Sequence, residues 1–140
     1  MKYASVPTRI WLESRFLALK PNTQRVHYAL WTGPEVLLCG ITTATPAVIA
    51  GRLALSVAAA RRAVDELAQA NFLTVDREAP LIWLHRFIEE QLGGEPMRNR
   101  KHLVNTVHAL SGLPQTNMVE AYRAAYSIPL EVPARQEGAP

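Results

Sequence analysis

The chain has 140 residues, of which 49% are hydrophobic and 19% charged, and its formal net charge is +3. This composition indicates a globular domain rather than a disordered chain. No apolar run approaches the roughly 20 residues of a membrane helix, and the first residues lack the apolar stretch of a secretory signal. The mild positive charge permits nucleic acid as a partner without requiring it.

The single cysteine, Cys39, lies within an apolar run. One cysteine allows no internal disulfide, and a cysteine among apolar neighbours is usually buried and unreactive. We therefore expect an inert thiol in a reducing cytoplasm.

The first third of the chain predicts helical segments followed by one strand. Residues 7–19 carry several apolar side chains and predict a packed irregular segment or a short helix. A helix is expected next, with Asn22 or Thr23 as its cap, and the Gly-Pro pair at 33–34 ends it. Residues 36–43 are short, apolar and β-branched at the end, which predicts a strand.

Two helices joined by a short turn come next. Thr45 is the expected cap of the first helix, with Pro46 in its first turn. Residues 54–56 form the turn, and Ser56 caps a second helix that runs to about residue 70. The expected inner face of this second helix consists of Val57, Ala60, Val64 and Leu67.

A β-hairpin and further helices complete the pattern. Asn71 tolerates the left-handed conformation that ends helices. Strands at 72–76 and 81–84 flank a polar tip at 77–80. Helices are expected at about 86–92, 97–110 and 117–126, and residues 131–140 predict a disordered tail.

This order of elements predicts an α+β, mostly helical fold, with a winged helix-turn-helix over residues 1–95 and a short helical extension over 96–130. Tryptophans are more often core anchors than platforms for bases, which applies to Trp11, Trp31 and Trp83. One shared core is expected to hold Leu38, Ile41, Ile49, Leu53, Val64, Leu67, Leu73, Val75, Ile82 and Leu84.

The second helix of a helix-turn-helix must enter a groove about 12 Å wide, so its first turn needs small or polar side chains. Ser56 begins such a turn here, and Arg61 and Arg62 follow it. Arg77 at the hairpin tip predicts a contact with the DNA backbone or minor groove, although acidic residues flank it. The predicted DNA-binding residues in this half of the chain are Thr45, Ser56, Val57, Ala58, Ala59, Arg61, Arg62 and Arg77.

A second basic cluster opens the predicted helix at 97–110. Arg98, Arg100 and Lys101 are its DNA-binding candidates, because cations at a helix start oppose the helix dipole unless a phosphate is near. For every arginine and lysine singled out here, a solvated helix face is the alternative.

The helix pair reads IAGRLALS at 49–56 and RRAVDEL at 61–67, and Phe72-Leu73 follow. This stretch resembles the winged helix of GntR-type repressors, over about residues 41–84. The resemblance implies that Ser56, the three residues after it and Arg61 face DNA. It departs from helix-turn-helix proteins at Ala54, where they usually have glycine, and alanine costs roughly 1 kcal/mol if forced into the left-handed conformation.

A wider pattern comprises TRIW at 8–11, LCGI at 38–41, IWL at 82–84 running into Phe87-Ile88, a basic helix at 98–110 and Leu113-Pro114. It resembles the N-terminal domain of phage replisome organisers, which are DnaD-like replication proteins. The resemblance implies origin binding and the delivery of a replicative helicase, in the cytoplasm of a bacterial host cell.

No catalytic or cofactor motif accompanies these features. The four histidines lack metal-ligand spacing, adjacent carboxylates diverge, and the sequence contains neither a phosphate-binding glycine loop nor a nucleophile elbow. We therefore expect a DNA-binding protein that is not an enzyme and needs no cofactor. A transcriptional repressor and a protein-binding adaptor remain alternatives to a replication role, and without a long heptad pattern the oligomeric state stays open.

Overall fold

Helices and one small antiparallel sheet make up the chain in a computed structural model, which describes residues 3–134. The α+β, mostly helical class predicted from the sequence is confirmed. In order, the elements are a 3-10 turn (Thr8–Leu12), α1 (Ser14–Leu17), α2 (Pro21–Trp31), β1 (Ile41–Thr42), α3 (Pro46–Leu53), α4 (Val57–Gln69), β2 (Leu73–Val75), β3 (Ile82–Leu84), α5 (Phe87–Leu92), a second 3-10 turn (Pro96–Arg98), α6 (Arg100–Ser111) and α7 (Asn117–Tyr126). No helix within the described residues is both long and apolar enough to cross a bilayer.

The first strand is much shorter than predicted. Instead of eight residues in a row, only Ile41–Thr42 form a strand, and Val36 makes an isolated bridge to Thr42. The chain reverses between them, because the Leu37 N–H donates to the Ile41 carbonyl and Gly40 has a φ of +90°. A Cβ at Gly40 would lie 2.8 Å from the Cβ of Phe87, so glycine is required both for this turn and for the close approach of α5.

Most helix starts follow the sequence signals, and α2 begins slightly earlier than predicted. α2 begins at Pro21, with Lys20 in the extended cap position, so the predicted caps Asn22 and Thr23 lie inside the helix. Proline suits a first helical position because its missing N–H would have no partner there.

The sheet has the order β1-β3-β2 and separates two hydrophobic cores. Successive side chains of a strand point to opposite faces. In β3, Ile82 and Leu84 accordingly pack into the first core, whereas Trp83 packs against the second. Ile41 is paired with Trp83 across the ladder and lies in the second core as well.

The first core joins α2, α3 and α4 to one face of the sheet. Its buried residues include Val26, Ile49, Val64 and Leu67. His27 is 4% exposed among the rings of this core, and burial lowers its pKa to about 4. It is therefore a neutral core residue near pH 7.

The second core joins α5, α6 and α7 to the other face. Tyr122 is fully buried there, and its hydroxyl donates to the Cys39 carbonyl at 2.7 Å. Cys39 is buried, as predicted, and burial raises its pKa to about 11. Val132 also packs against this core, and residues 135–140 of the predicted tail lie outside the described part of the chain.

Four of the predicted core positions were wrong. Ile41 is buried in the second core, and Leu38 is half-buried without packing against either core. Val75 is 39% exposed, because it is the last residue of β2, next to the hairpin tip. Trp11 is 59% exposed on the N-terminal 3-10 turn, whereas Trp31 is buried.

Candidate nucleic-acid interface

The turn between α3 and α4 orients the two helices. Ala54 adopts φ 55° and ψ 41°, and its N–H donates to the Ala50 carbonyl. Ser56 then caps α4, its hydroxyl accepting the Ala59 N–H at 3.0 Å. The alanine is thus held in the left-handed conformation that glycine adopts more cheaply.

The first turn of α4 lies outside the core. Val57 was predicted on the inner face but is 43% exposed. Of that predicted face, only Ala60, Val64 and Leu67 are buried. Ala58 is exposed and Ala59 is half-buried. The small side chains predicted for a groove-facing turn are therefore accessible.

Arg61 and Arg62 are exposed on α4 just behind this turn. Within residues 3–134, neither arginine forms a hydrogen bond or ion pair with another side chain. Glu66, one turn beyond Arg62, has a lowered pKa, first because Thr23 and Lys20 hydrogen-bond to it and to a smaller extent because of the charge of Arg62. Both guanidinium groups are consequently available to an external anion.

The other cationic side chains near α3 and α4 form ion pairs or hydrogen bonds within the chain. Arg52 forms an ion pair with Glu35, and this hydrogen bond is the main cause of the lowered pKa of that carboxyl. Arg25 donates to the Leu53 carbonyl at 3.0 Å, and Lys20 pairs with Glu66 at 3.0 Å.

Thr45 is less available than the sequence suggested. Its hydroxyl accepts the Val48 N–H at 3.3 Å, so it acts as the cap of α3 and is half-buried. A contact with DNA would have to share this hydroxyl with the helix.

Lys20 and Asn22 were missed as neighbours of this surface. Together with Ala59 and Arg62 they line an open groove between the start of α2 and α4. No local pattern could have revealed this, because the groove depends on the packing of two helices about 40 residues apart, where the Thr23 hydroxyl donates to Glu66 at 2.6 Å.

The hairpin tip is tied to the C-terminal part of the chain. Asp76 is buried and accepts hydrogen bonds from the Glu78 N–H and the Thr116 hydroxyl. Thr116 is also the cap of α7, and Glu78 accepts the Asn117 N–H at 3.4 Å. The two acids that flank Arg77 in sequence thus contact the start of α7, while Arg77 itself is exposed and has no such partner among the described residues.

Two of the three side chains in the second basic cluster have partners within the chain, and the predicted position of Arg98 in α6 was wrong. Arg98 lies before α6 rather than in its first turn, because Asn99 caps the helix by accepting the N–H groups of Lys101 and His102. Arg98 pairs with Glu95 at 2.9 Å, and Arg100 donates to the Pro133 carbonyl at 3.0 Å. Lys101 is exposed.

The α4 arginines and the basic residues at the start of α6 belong to helices that pack on opposite faces of the sheet. α4 packs in the first core and α6 in the second, on opposite faces of the sheet. The structure therefore does not gather Arg98, Arg100 and Lys101 with the α4 arginines into one cluster.

Residues 3–134 contain no group of three histidine, cysteine or carboxylate side chains that could hold a metal ion. Comparisons of the chain with protein-family models, curated proteins and solved structures found no match.

Proposed function

We propose that the chain binds double-stranded DNA through a winged helix-turn-helix. In this proposal α3 and α4 form the helix-turn-helix, α4 enters the major groove by its first turn, and the β2–β3 hairpin is the wing. The observation that carries the proposal is the combination of an exposed first turn of small residues with two unpaired arginines directly behind it.

Reach and charge support distinct tasks for the two arginines. Arg61 lies about one and a half turns after Ser56, from where its side chain can reach a phosphate or a guanine edge. Arg62 is about 100° further round the helix and faces the groove with Lys20, which suits a contact with the flanking backbone. Arg77 on the wing is expected to add a sequence-independent phosphate contact.

Replication initiation is the biological role we propose first, on the resemblance to phage replisome organisers, with a replicative helicase as a further partner. Transcriptional repression through the same surface is the alternative. Neither role requires catalysis by this chain.

A protein-binding adaptor is the competing class, and one observation favours it. Trp11, Leu12 and Leu17 are all exposed near the N-terminus, with Leu12 84% exposed. The three lie within one seven-residue stretch of the chain, and contiguous exposed apolar patches mark protein-interaction surfaces.

Removal of both α4 arginines tests DNA binding. We expect the double variant Arg61→Ala, Arg62→Ala to lose measurable specific binding at physiological salt, because a bidentate guanine contact contributes about 1–3 kcal/mol and each lost phosphate contact lowers the salt slope by about 1. The measurement is duplex affinity at two salt concentrations, with a duplex selected from random DNA.

The charge-matched control is Arg98→Ala with Lys101→Ala, which removes the same net charge from the α6 side of the molecule. This control should bind nearly as tightly as the parent, and both variants should melt close to it because all four side chains are exposed or half-exposed. Equal, tight binding by the parent and the α4 double variant would show that α4 is not the reader and would move the adaptor to first place.

A further inference from the structure

The first turn of α4 exposes methyl groups where a reading helix would be expected to expose polar side chains. Val57 and Ala58 are both exposed, and the hydroxyl of Ser56 accepts the Ala59 N–H. Between Ser56 and Arg61 the exposed side chains of α4 therefore present three methyl groups and no donor or acceptor, whereas the Ser56 hydroxyl at the cap keeps its O–H as a donor.

The fold gives no reason for valine at position 57. Val57 is 43% exposed and packs against neither core, so it gains less from burial than the core residues of α4, and β-branched residues lower helix propensity. Single exposed apolar residues are common on protein surfaces. What distinguishes Val57 is its position, beside exposed Ala58 and one turn ahead of an unpaired arginine.

The major groove offers one apolar group that matches such a turn. Every base pair displays hydrogen-bonding atoms there, but only thymine adds a methyl group, on C5. Valine and alanine methyl groups can pack against it, and the contact removes apolar surface of both partners from water. Since a hydrogen-bond donor or acceptor of a base cannot be satisfied by a methyl group, the same turn disfavours positions at which such an atom would lose its water.

We propose that Val57, supported by Ala58, is a specificity-determining residue that reads the C5-methyl group of thymine in the major groove. The proposal rests on the DNA binding proposed above and adds the class of base at the position that the start of α4 reaches. Arg61 and Arg62 supply the charge that holds the helix in the groove, and Val57 supplies the preference.

Replacing thymine by deoxyuridine, which lacks only the C5 methyl, tests this inference. In the duplex selected by the parent protein, each thymine is replaced in turn and the affinity is measured. We expect about fourfold weaker binding at one thymine, or at two adjacent ones, which is the effect of one methyl-sized contact. Cytosine at the sensitive position should bind weakly, and 5-methylcytosine should recover part of the loss, because it restores the methyl group.

Two variants assign the contact to Val57. Val57→Ala should bind the thymine duplex about as weakly as the parent binds the deoxyuridine duplex, and should no longer distinguish the two. Val57→Thr keeps one of the two methyl groups in the same shape and should retain part of the discrimination. Val57→Ala should melt at or above the temperature of the parent, because alanine is the better helix former and no core contact is lost.

The outcomes separate this inference from the function on which it rests. Failure of the parent to bind any duplex would overturn DNA binding itself. Tight binding that is indifferent to deoxyuridine at every thymine would overturn the methyl contact alone. A sensitive thymine whose effect persists in Val57→Ala would mean that another residue reads it.

Discussion

Ala54 has a strained backbone conformation and lies in the turn that joins α3 to α4. A left-handed conformation costs an L-residue roughly 1–2 kcal/mol, and only glycine avoids most of this cost. The chain accepts alanine there because the neighbouring contacts outweigh the strain: the Ala54 N–H caps α3 and the Ser56 hydroxyl caps α4. The sequence identified the position and the cost, but not the conformation that would be adopted.

Ala54→Gly should therefore stabilise the protein by about 1 kcal/mol in the free energy of unfolding, because it relieves the strained backbone of an exposed residue. Chemical denaturation measures the change. Ala47→Gly is the matched control, since Ala47 is an exposed residue within α3, and glycine there should destabilise by about 0.5–1 kcal/mol. A destabilised Ala54→Gly variant would mean that the turn does not adopt its left-handed form in solution.

Individual exposures were harder to predict than the helices that carry them. The spacing of three and four placed Val57 with Ala60, Val64 and Leu67, and the three later positions are buried. The predicted burial of Val57 was wrong, because periodicity gives the direction of a side chain but not where the neighbouring helix ends. The exposure of Trp11 has the same origin, since the pattern around it could not reveal that its 3-10 turn lies at the edge of the first core.

At the scale of elements, the sequence correctly predicted the helices and strands whose ends are marked by capping or turn residues. α4 runs from Val57 to Gln69, α7 from Asn117 to Tyr126, and the hairpin pairs in the expected place. Each of these has a capping hydroxyl or a polar turn, and such signals act through contacts only a few residues apart. The strand expected over 36–43 had apolar character but no end signal, and the turn at Gly40 divides it.

α4 is the element on which the candidate site depends, and Leu67 is its largest fully buried side chain, at 0% exposure. Leu67→Ala should lower the free energy of unfolding by about 2–5 kcal/mol, because it leaves a cavity in the first core. Val75→Ala is the control, a truncation to alanine at a 39% exposed position, and should cost less than about 1 kcal/mol. Denaturant unfolding of the two variants checks both values, and a loss below about 1 kcal/mol for Leu67→Ala would place α4 differently from this structure.

At the scale of the whole molecule, the sheet is shared by two cores, and this was the least predictable feature. The sequence separated residues 1–95 from a helical extension because the glycines at 93–94 divide the pattern. Long-range packing joins the two parts: Cys39 and Ile41 are covered by α6 and α7, and Asp76 beside the hairpin tip bonds to the cap of α7. Contacts between residues 40 to 86 positions apart leave no trace in a local pattern.

This arrangement gives the C-terminal helices an expected role in holding the β2–β3 hairpin. One face of the hairpin packs in the first core, and its other face and its tip are also held, through Trp83 and Asp76. If the hairpin contacts DNA as proposed, one held at both faces would lose less conformational entropy on binding. The packing therefore favours one rigid unit over a domain with an independent appendage.

Tyr122→Ala tests that unity, because Tyr122 is fully buried in the second core and its hydroxyl bonds to the Cys39 carbonyl 83 residues away. We expect a loss of about 3–5 kcal/mol, the usual cost of removing a large buried ring.

Tyr122→Phe keeps the ring and removes only the hydroxyl, so it should cost about 1–3 kcal/mol by leaving the buried carbonyl without this donor. Unfolding is followed by tryptophan fluorescence, to which Trp31 in the first core and Trp83 against the second both contribute, and by amide hydrogen exchange in α4 and in α6 and α7. If the two cores form one cooperative unit, Tyr122→Ala will accelerate exchange in α4 and shift a single transition; unchanged protection of α4 with early loss of α6 and α7 would show instead that the first core folds without them.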